Sequence, residues 1–447
     1  MRRYLTIAAA ALLIAACSSN PGSSSPPASN PAAQTDSPTA APSVPAQLAA
    51  LTEYRSTAGR DPASASSEQQ MQQVIAADGA FAFKLYHQIA RGSGSDVFLS
   101  PYSISTALSM VLAGARTGTA DQIGAVLGVH DSTAWHPARN LLAARLIEQV
   151  PVGMDGKLQP MTLETTNAIF GQSGYPFQQP FLDLLARDYG AGLEAVDFGQ
   201  HPEDARQAIN AWVAQQTADR IRELLSQGSV DELTRAVLVN TIYFKANWVD
   251  QFDPKATTGA DFHLLDGSTV NVPTMHLEYK ESYATGDGWA AVSLPYWGAS
   301  MLVIVPDAGK FEQVEQQIEP NFVASLDSAL SEYGLTLSLP KWSTDQTTDL
   351  VPPLQTLGIT DLFDPNKADL SGIETVEQLF VSAATHQANI TVDEHGTEAS
   401  AATALVAEAT SGPARSATLT VDRPFIYVIR DQNTNEILFM GRVMDPH

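Results

Sequence analysis

The sequence predicts an α+β fold built on a large, mainly antiparallel sheet. Three observations predict it. Helical periodicity dominates the first third of the folded part. Strand-like runs, β-branched or alternating, fill the rest. The two kinds never alternate as βαβ units, which would give a parallel sheet. With 447 residues, 44% of them hydrophobic, the chain can bury one large core or two ordinary ones.

In chain order, Ser66-Ser67-Glu68 resembles a helix cap. Met71, Val74, Ile75, Phe81, Leu85 and Ile89 follow at helical spacing, ending at Gly92. Ser100-Pro101 opens a second helix with Ile104, Leu108, Val111 and Leu112 on its buried side. Acidic amphipathic helices are predicted around 119–149, 178–188 and 203–226. Ala236 to Phe244 is almost continuously apolar, as in a strand buried on both faces. Residues 290–307 give two strands joined at Trp297-Gly298, and Leu335, Leu337 and Leu339 alternate in a half-buried strand. His386, Ala388, Ile390 and Val392 share one face of a further strand, with Gln387, Asn389, Thr391 and Asp393 opposite. Residues 424–446 form a closing hairpin that turns at Asn433-Thr434-Asn435.

The N-terminus reads as a targeting segment. Arg2 and Arg3 precede an apolar run, Leu5 to Ala16, too short for a membrane-spanning helix. Ile14-Ala15-Ala16-Cys17 resembles a bacterial lipobox, and Cys17 is the only cysteine in the chain. The expectation is a signal peptide over 1–16, a lipidated Cys17 with a Pro/Ser-rich linker over 17–66, and a folded domain over 67–447. That would place the protein outside the cytoplasm, anchored to a membrane by lipid. No intramolecular disulfide is then possible, so packing must supply stability. The formal charge of −24 repels phosphate backbones, and no basic run offers a nucleic-acid patch.

Residues 395–416, HGTEASAATALVAEATSGPARS, lie between two strand-like stretches yet hold no core aromatic and no regular period. Loops of such length inside a domain are uncommon and usually functional. Catalytic machinery is hard to find. No G-x-S-x-G elbow occurs, and the nine histidines show no H-E-x-x-H spacing. Ser338-Leu339-Pro340-Lys341 matches S-x-x-K only inside an alternating strand. No enzyme, metal or cofactor is expected, and His386 is expected to be a buried, hydrogen-bonded core histidine.

Five blocks in order, residues 97–123, 237–254, 357–373, 386–403 and 423–446, resemble the serpins, a family of serine protease inhibitors. The resemblance implies the serpin fold with an exposed reactive-centre loop, and it gives residues 395–416 a purpose. The loop is bait for a serine or cysteine protease; after cleavage its first half inserts as a new strand into the main sheet. Glu394, Gly396, Thr397, Glu398, Ala399, Ser400, Ala401, Ala402 and Thr403 match the family's hinge. Gly396 would permit the turn; Thr397, Ala399, Ala401 and Thr403 would point inward, small and uncharged as burial requires. Family spacing puts the reactive bond at Thr410–Ser411, with Arg415–Ser416 as the alternative. A small residue at that bond favours an elastase-like or subtilisin-like target. Ser100, Ser103, Asn240 and His386 match the family's shutter beneath the opening sheet, and Trp248 its breach, where insertion begins. Ala246, Trp342 and Ser400 depart from the usual Gly, Phe and Ala. The resemblance implies a monomer; the rival expectation is a non-inhibitory binding lipoprotein on the same fold.

Overall fold

A computed structural model describes residues 47–62, 66–147, 161–376, 378–397 and 415–447. Two sheets organise them. The strands, in chain order, are β1 (Thr52–Tyr54), β2 (Val97–Leu99), β3 (Thr162–Gln172), β4 (Leu193–Val196), β5 (Ala236–Asn247), β6 (Thr258–His263), β7 (Thr269–Gly286) and β8 (Trp289–Pro295). They continue as β9 (Ala299–Pro306), β10 (Ser331–Pro340), β11 (Trp342–Asp349), β12 (Val381–Asp393), β13 (Gly396–Thr397), β14 (Ser416–Thr420), β15 (Phe425–Asp431) and β16 (Ile437–Val443). The first sheet runs β1-β4-β3-β5-β13-β12-β11; the second runs β14-β10-β7-β8-β9-β15-β16-β2, with β6 on β7. Pairing is antiparallel except at β3–β4, β5–β12 and β10–β14.

The helices sit where their caps and apolar faces put them. Ser67 opens Glu68–Ala90 with a capping box: its side chain accepts from Gln70 N–H while Gln70 Oε1 accepts from Ser67 N–H. Ser100 caps Pro101–Gly114, a helix buried along most of its surface because it lies beneath the first sheet. The helix Ser132–Ile147 is fastened to Glu68–Ala90 by a buried bidentate bridge, Arg139 to Asp78, at 2.9 Å for each oxygen. That first helix packs in turn on β16.

Several expectations need correction. The span around 119–149 holds two helices, Thr117–Leu127 and Ser132–Ile147, because Gly128 (φ 71°) adopts the left-handed conformation that ends the first. The helix expected to reach 226 stops at Gln216. Ala218 and Asp219 turn left-handed there, and Asn210 Oδ1 accepts from the backbone N–H groups of Leu224 and Leu225 instead. The expected linker over 17–66 also contains structure: Thr52–Tyr54 pair with β4, so the packed fold begins before residue 67. Three residues offer no period long enough to reveal a strand. The strand Ala236–Phe244 is buried as expected, and the hairpin over 424–446 turns at the expected residues.

Candidate functional site

The seam between β5 and β12 positions the candidate site. Along Ala236–Ile242 and Val381–Ala388 the two strands pair in parallel. Above that, β12 folds back on itself through Glu394-His395, and β13 slots between the two strands, antiparallel to both. The turn is therefore made by Glu394 and His395, not by Gly396. What requires a glycine at 396 is space as well as its φ of 144°. A Cβ there would lie 2.1 Å from the Ala246 carbonyl oxygen and 2.8 Å from Asn247 Cα.

Thr397 follows, fully buried, its hydroxyl 2.8 Å from Tyr296 OH. Burial holds the Tyr296 phenol well above its ordinary range, so it remains neutral. Tyr296 stacks on Trp248 with ring centroids 3.9 Å apart. Trp248 Nε1–H donates to the Asp393 carbonyl at 2.9 Å, and its backbone N–H donates to His395 O at 3.0 Å. Glu394 is clamped from both sides: Lys341 Nζ lies 2.8 Å from Oε2, and Thr257 Oγ1 donates to Oε1 at 2.7 Å. Burial alone would push the Glu394 carboxyl up; Lys341 and Thr257 outweigh it and hold the group below the usual range.

Deeper along the seam, a second polar cluster links four strands and a helix cap. Ser100 N–H donates to His386 Nε2 at 3.1 Å, so the ring proton sits on Nδ1, facing Asn240 Oδ1. Asn240 Nδ2 then donates to Ser103 Oγ at 2.6 Å and to Asn167 Oδ1. Ser100 Oγ donates to the Leu438 carbonyl at 2.6 Å. One direction of donation thus satisfies the whole cluster. Burial drives the His386 imidazole down to about 3, so it is neutral at any ordinary pH.

A sheet with a strand already started in its central seam is a definite feature to compare. The family model described as Serpin (serine protease inhibitor) matches residues 76–446. The chain is a serpin. Leukocyte elastase inhibitor of Bos taurus is 37% identical over 389 residues, covering 84% of this chain and 100% of its own. Antithrombin-III of Mus musculus is 35% identical, over 83% of this chain and 81% of its own. Uncleaved ovalbumin matches in structure with a TM-score of 0.74 at 27% identity, covering 84% of this serpin and all of its own chain. These matches bear out the expected family and the α+β serpin fold. They correct the bare expectation of no enzyme, because the relatives' names support a positive statement in its place: this is a family of protease inhibitors.

Glu394, Gly396, Thr397 and Trp248 come together at the upper end of the seam, and Ser100, Ser103, Asn240 and His386 at its centre. Glu398, Ala399, Ser400, Ala401, Ala402, Thr403, Thr410 and Ser411 lie outside the described residues, as does Cys17. Ser416 begins β14, and the Arg415 carbonyl accepts from Gly334 N–H at 2.9 Å. Sequence reasoning missed Asn167, Tyr296, Thr257 and Lys341. Asn167 was legible only as a polar interruption in Thr-Asn-Ala-Ile-Phe; the other three have no local signal, since contact with the hinge alone singles them out. Lys341 had drawn notice as the end of S-x-x-K, and its ammonium is engaged by Glu394.

Proposed function

We propose that this serpin is a suicide-substrate inhibitor of serine proteases. The loop is cut between Thr410 and Ser411, and its first half then enters the β5–β12 seam while the protease is still acylated. The observation that carries this reading is Thr397, which already lies as a strand in the seam with its side chain wholly buried. A segment returning from β12 runs antiparallel to both neighbours, so it can form a ladder on each side in place of a parallel pairing that is slightly weaker per residue. Continuing the alternation of Thr397 puts Ala399, Ala401 and Thr403 inward, all small. About ten ladder bonds at roughly 1 kcal/mol each would release on the order of 10 kcal/mol, before side-chain burial. Strand insertion of this kind is a recognised way of storing and releasing work in a fold.

Ladder bonding of Arg415 to β10 disfavours the bond Arg415–Ser416, which a protease would have to peel from the sheet. Thr410 is small, and several relatives are named leukocyte elastase inhibitors, so an elastase-like or subtilisin-like target fits best. The proposal includes a monomer tethered outside the cytoplasm through lipidated Cys17.

The test is to incubate the protein with pancreatic elastase, subtilisin and trypsin, then run denaturing gels and mass spectrometry. An SDS-resistant complex with a released peptide beginning at Ser411 supports the proposal. Release beginning at Ser416 moves the bond, and complete cleavage by all three without a complex rejects inhibition of these classes. Mass spectrometry of the mature N-terminus tests the lipid on Cys17.

A further inference from the structure

Residues 52–61 bind two parts of the fold that strand insertion must separate. At one end, β1 pairs with the outer edge of β4, with Thr52 opposite Ala195, Glu53 opposite Glu194 and Tyr54 opposite Leu193. Tyr54 also packs edge-on against Phe177 at 5.0 Å. At the other end, Arg60 Nε donates to Asn140 Oδ1 at 2.8 Å, and Asn140 Nδ2 donates to the Asp61 carbonyl at 2.9 Å. Asn140 belongs to the helix Ser132–Ile147, which the Arg139–Asp78 bridge fixes to Glu68–Ala90 and hence to the second sheet.

To admit a strand, β1-β4-β3-β5 must move away from β12-β11 by about 4.8 Å, one strand spacing. β4 moves with that block. The helix bearing Asn140 is held to the other body. We propose that residues 52–61 are a strap restraining the opening of the β5–β12 seam, so that its release speeds insertion. The inference rests on the insertion reading above.

The strap contains its own weak point. Glu53 and Glu194 are like charges directly opposite each other, a destabilising cross-strand pair. They line a cavity of about 260 Å³ whose other charged or titratable groups are Arg55, Arg60, Tyr102, Arg139, Asp188 and Tyr189. Arg55 Nε is 2.7 Å from Glu53 Oε1, and Arg139 is committed to Asp78. Burial, with Glu53 adding to it, pushes the Glu194 carboxyl up to about 7. Strapped, Glu194 keeps its proton longer than it would when freed. The strap is therefore tightest at acid pH and weakens as pH climbs from the ordinary carboxyl value near 4.5 to about 7.

The experiment uses the full chain with two opposed variants. Tyr54→Ala/Arg60→Ala loosens both ends of the strap; Glu53→Lys puts opposite charges across β1 and β4. Hydrogen exchange of seam amides in 236–242 and 381–388 is followed, together with uptake of a synthetic peptide of residues 397–410. The loosened variant should open the seam and take up peptide about tenfold faster, a barrier change of roughly 1.4 kcal/mol, and Glu53→Lys should slow both. Wild type should gain seam exchange between pH 5 and 7.5 relative to Glu194→Gln. Faster exchange at β4 with an unchanged seam overturns the strap, as does Glu53→Lys matching the loosened variant. A seam that responds in every variant while none takes up peptide supports the strap and refutes the insertion reading separately.

Discussion

Replacing Thr397 by Arg tests insertion at its first buried side chain. Thr397 has no exposed surface, and its hydroxyl is satisfied by Tyr296 OH at 2.8 Å. Its neighbours in register are Ala246 on β5 and Val392 on β12, neither of which can pair a guanidinium. A buried, unpaired ion costs several kcal/mol even after relaxation. In the uncleaved protein an arginine at 397 is expelled from the seam into solvent, so insertion must first bury it. If about half of that cost, roughly 3 kcal/mol, is felt at the barrier, insertion slows about a hundredfold, since each 1.4 kcal/mol is a factor of ten. Hydrolysis of the acyl-enzyme has no reason to change. Partitioning should therefore swing from trapped complex to cleaved serpin, with the initial rate of cleavage unaltered. Thr397→Val stays buried and removes only a hydrogen bond of about 1 kcal/mol that is already made before cleavage, so it should leave the ratio within about twofold of wild type. The assay is densitometry of the SDS-stable elastase complex against cleaved product. A Thr397→Arg protein that traps elastase with wild-type stoichiometry would refute insertion through this seam.

Three further outcomes follow from the geometry. His386 is held neutral down to about 3 against 6.5 when unfolded, so stability should fall by about 1.4 kcal/mol per pH unit as pH drops below 6.5. Urea denaturation at pH 6.5 and 5 measures this, and a wild-type slope that His386→Gln leaves intact would assign it elsewhere. Removing one partner of the Lys341–Glu394 bridge should be asymmetric. Lys341→Ala strands a carboxylate whose side chain is 8% exposed, for about 3–5 kcal/mol, whereas Glu394→Ala leaves an ammonium whose side chain is 35% exposed and should cost less in denaturant titration. Glu436 is wholly buried, and among the described residues neither carboxylate oxygen has a hydrogen-bond partner; burial, then Asp78, hold its carboxyl well above the usual range. That raised value makes the native state lose stability as pH rises above the ordinary carboxyl range. Glu436→Met should therefore stabilise the protein by about 1–3 kcal/mol near pH 8 and by less near pH 5, read as melting temperature.

The sequence by itself determined the fold class, the buried central strand and the closing hairpin. Each rests on a local period: the apolar run Ala236–Phe244, or the alternation around Leu337, is stable in only one kind of environment. It also brought out His386, since a histidine on an apolar face must find a partner when buried. Tertiary structure alone decided the rest. Thr52–Tyr54 is a strand only because β4 offers an open edge, and β11 is polar because it too lies at an edge. Tyr296, Thr257 and Lys341 are ordinary in their own segments. They become part of the site because the ends of β6, β8 and β10 meet those of β5 and β12 where the hinge turns back. Gly396 shows the division within one residue. A glycine before an Ala-rich loop suggested freedom to turn, whereas the fold needs it because its Cα passes directly over the Ala246 carbonyl. Local sequence encodes which conformations a segment can adopt; the distance between two backbones exists only after the chain has folded.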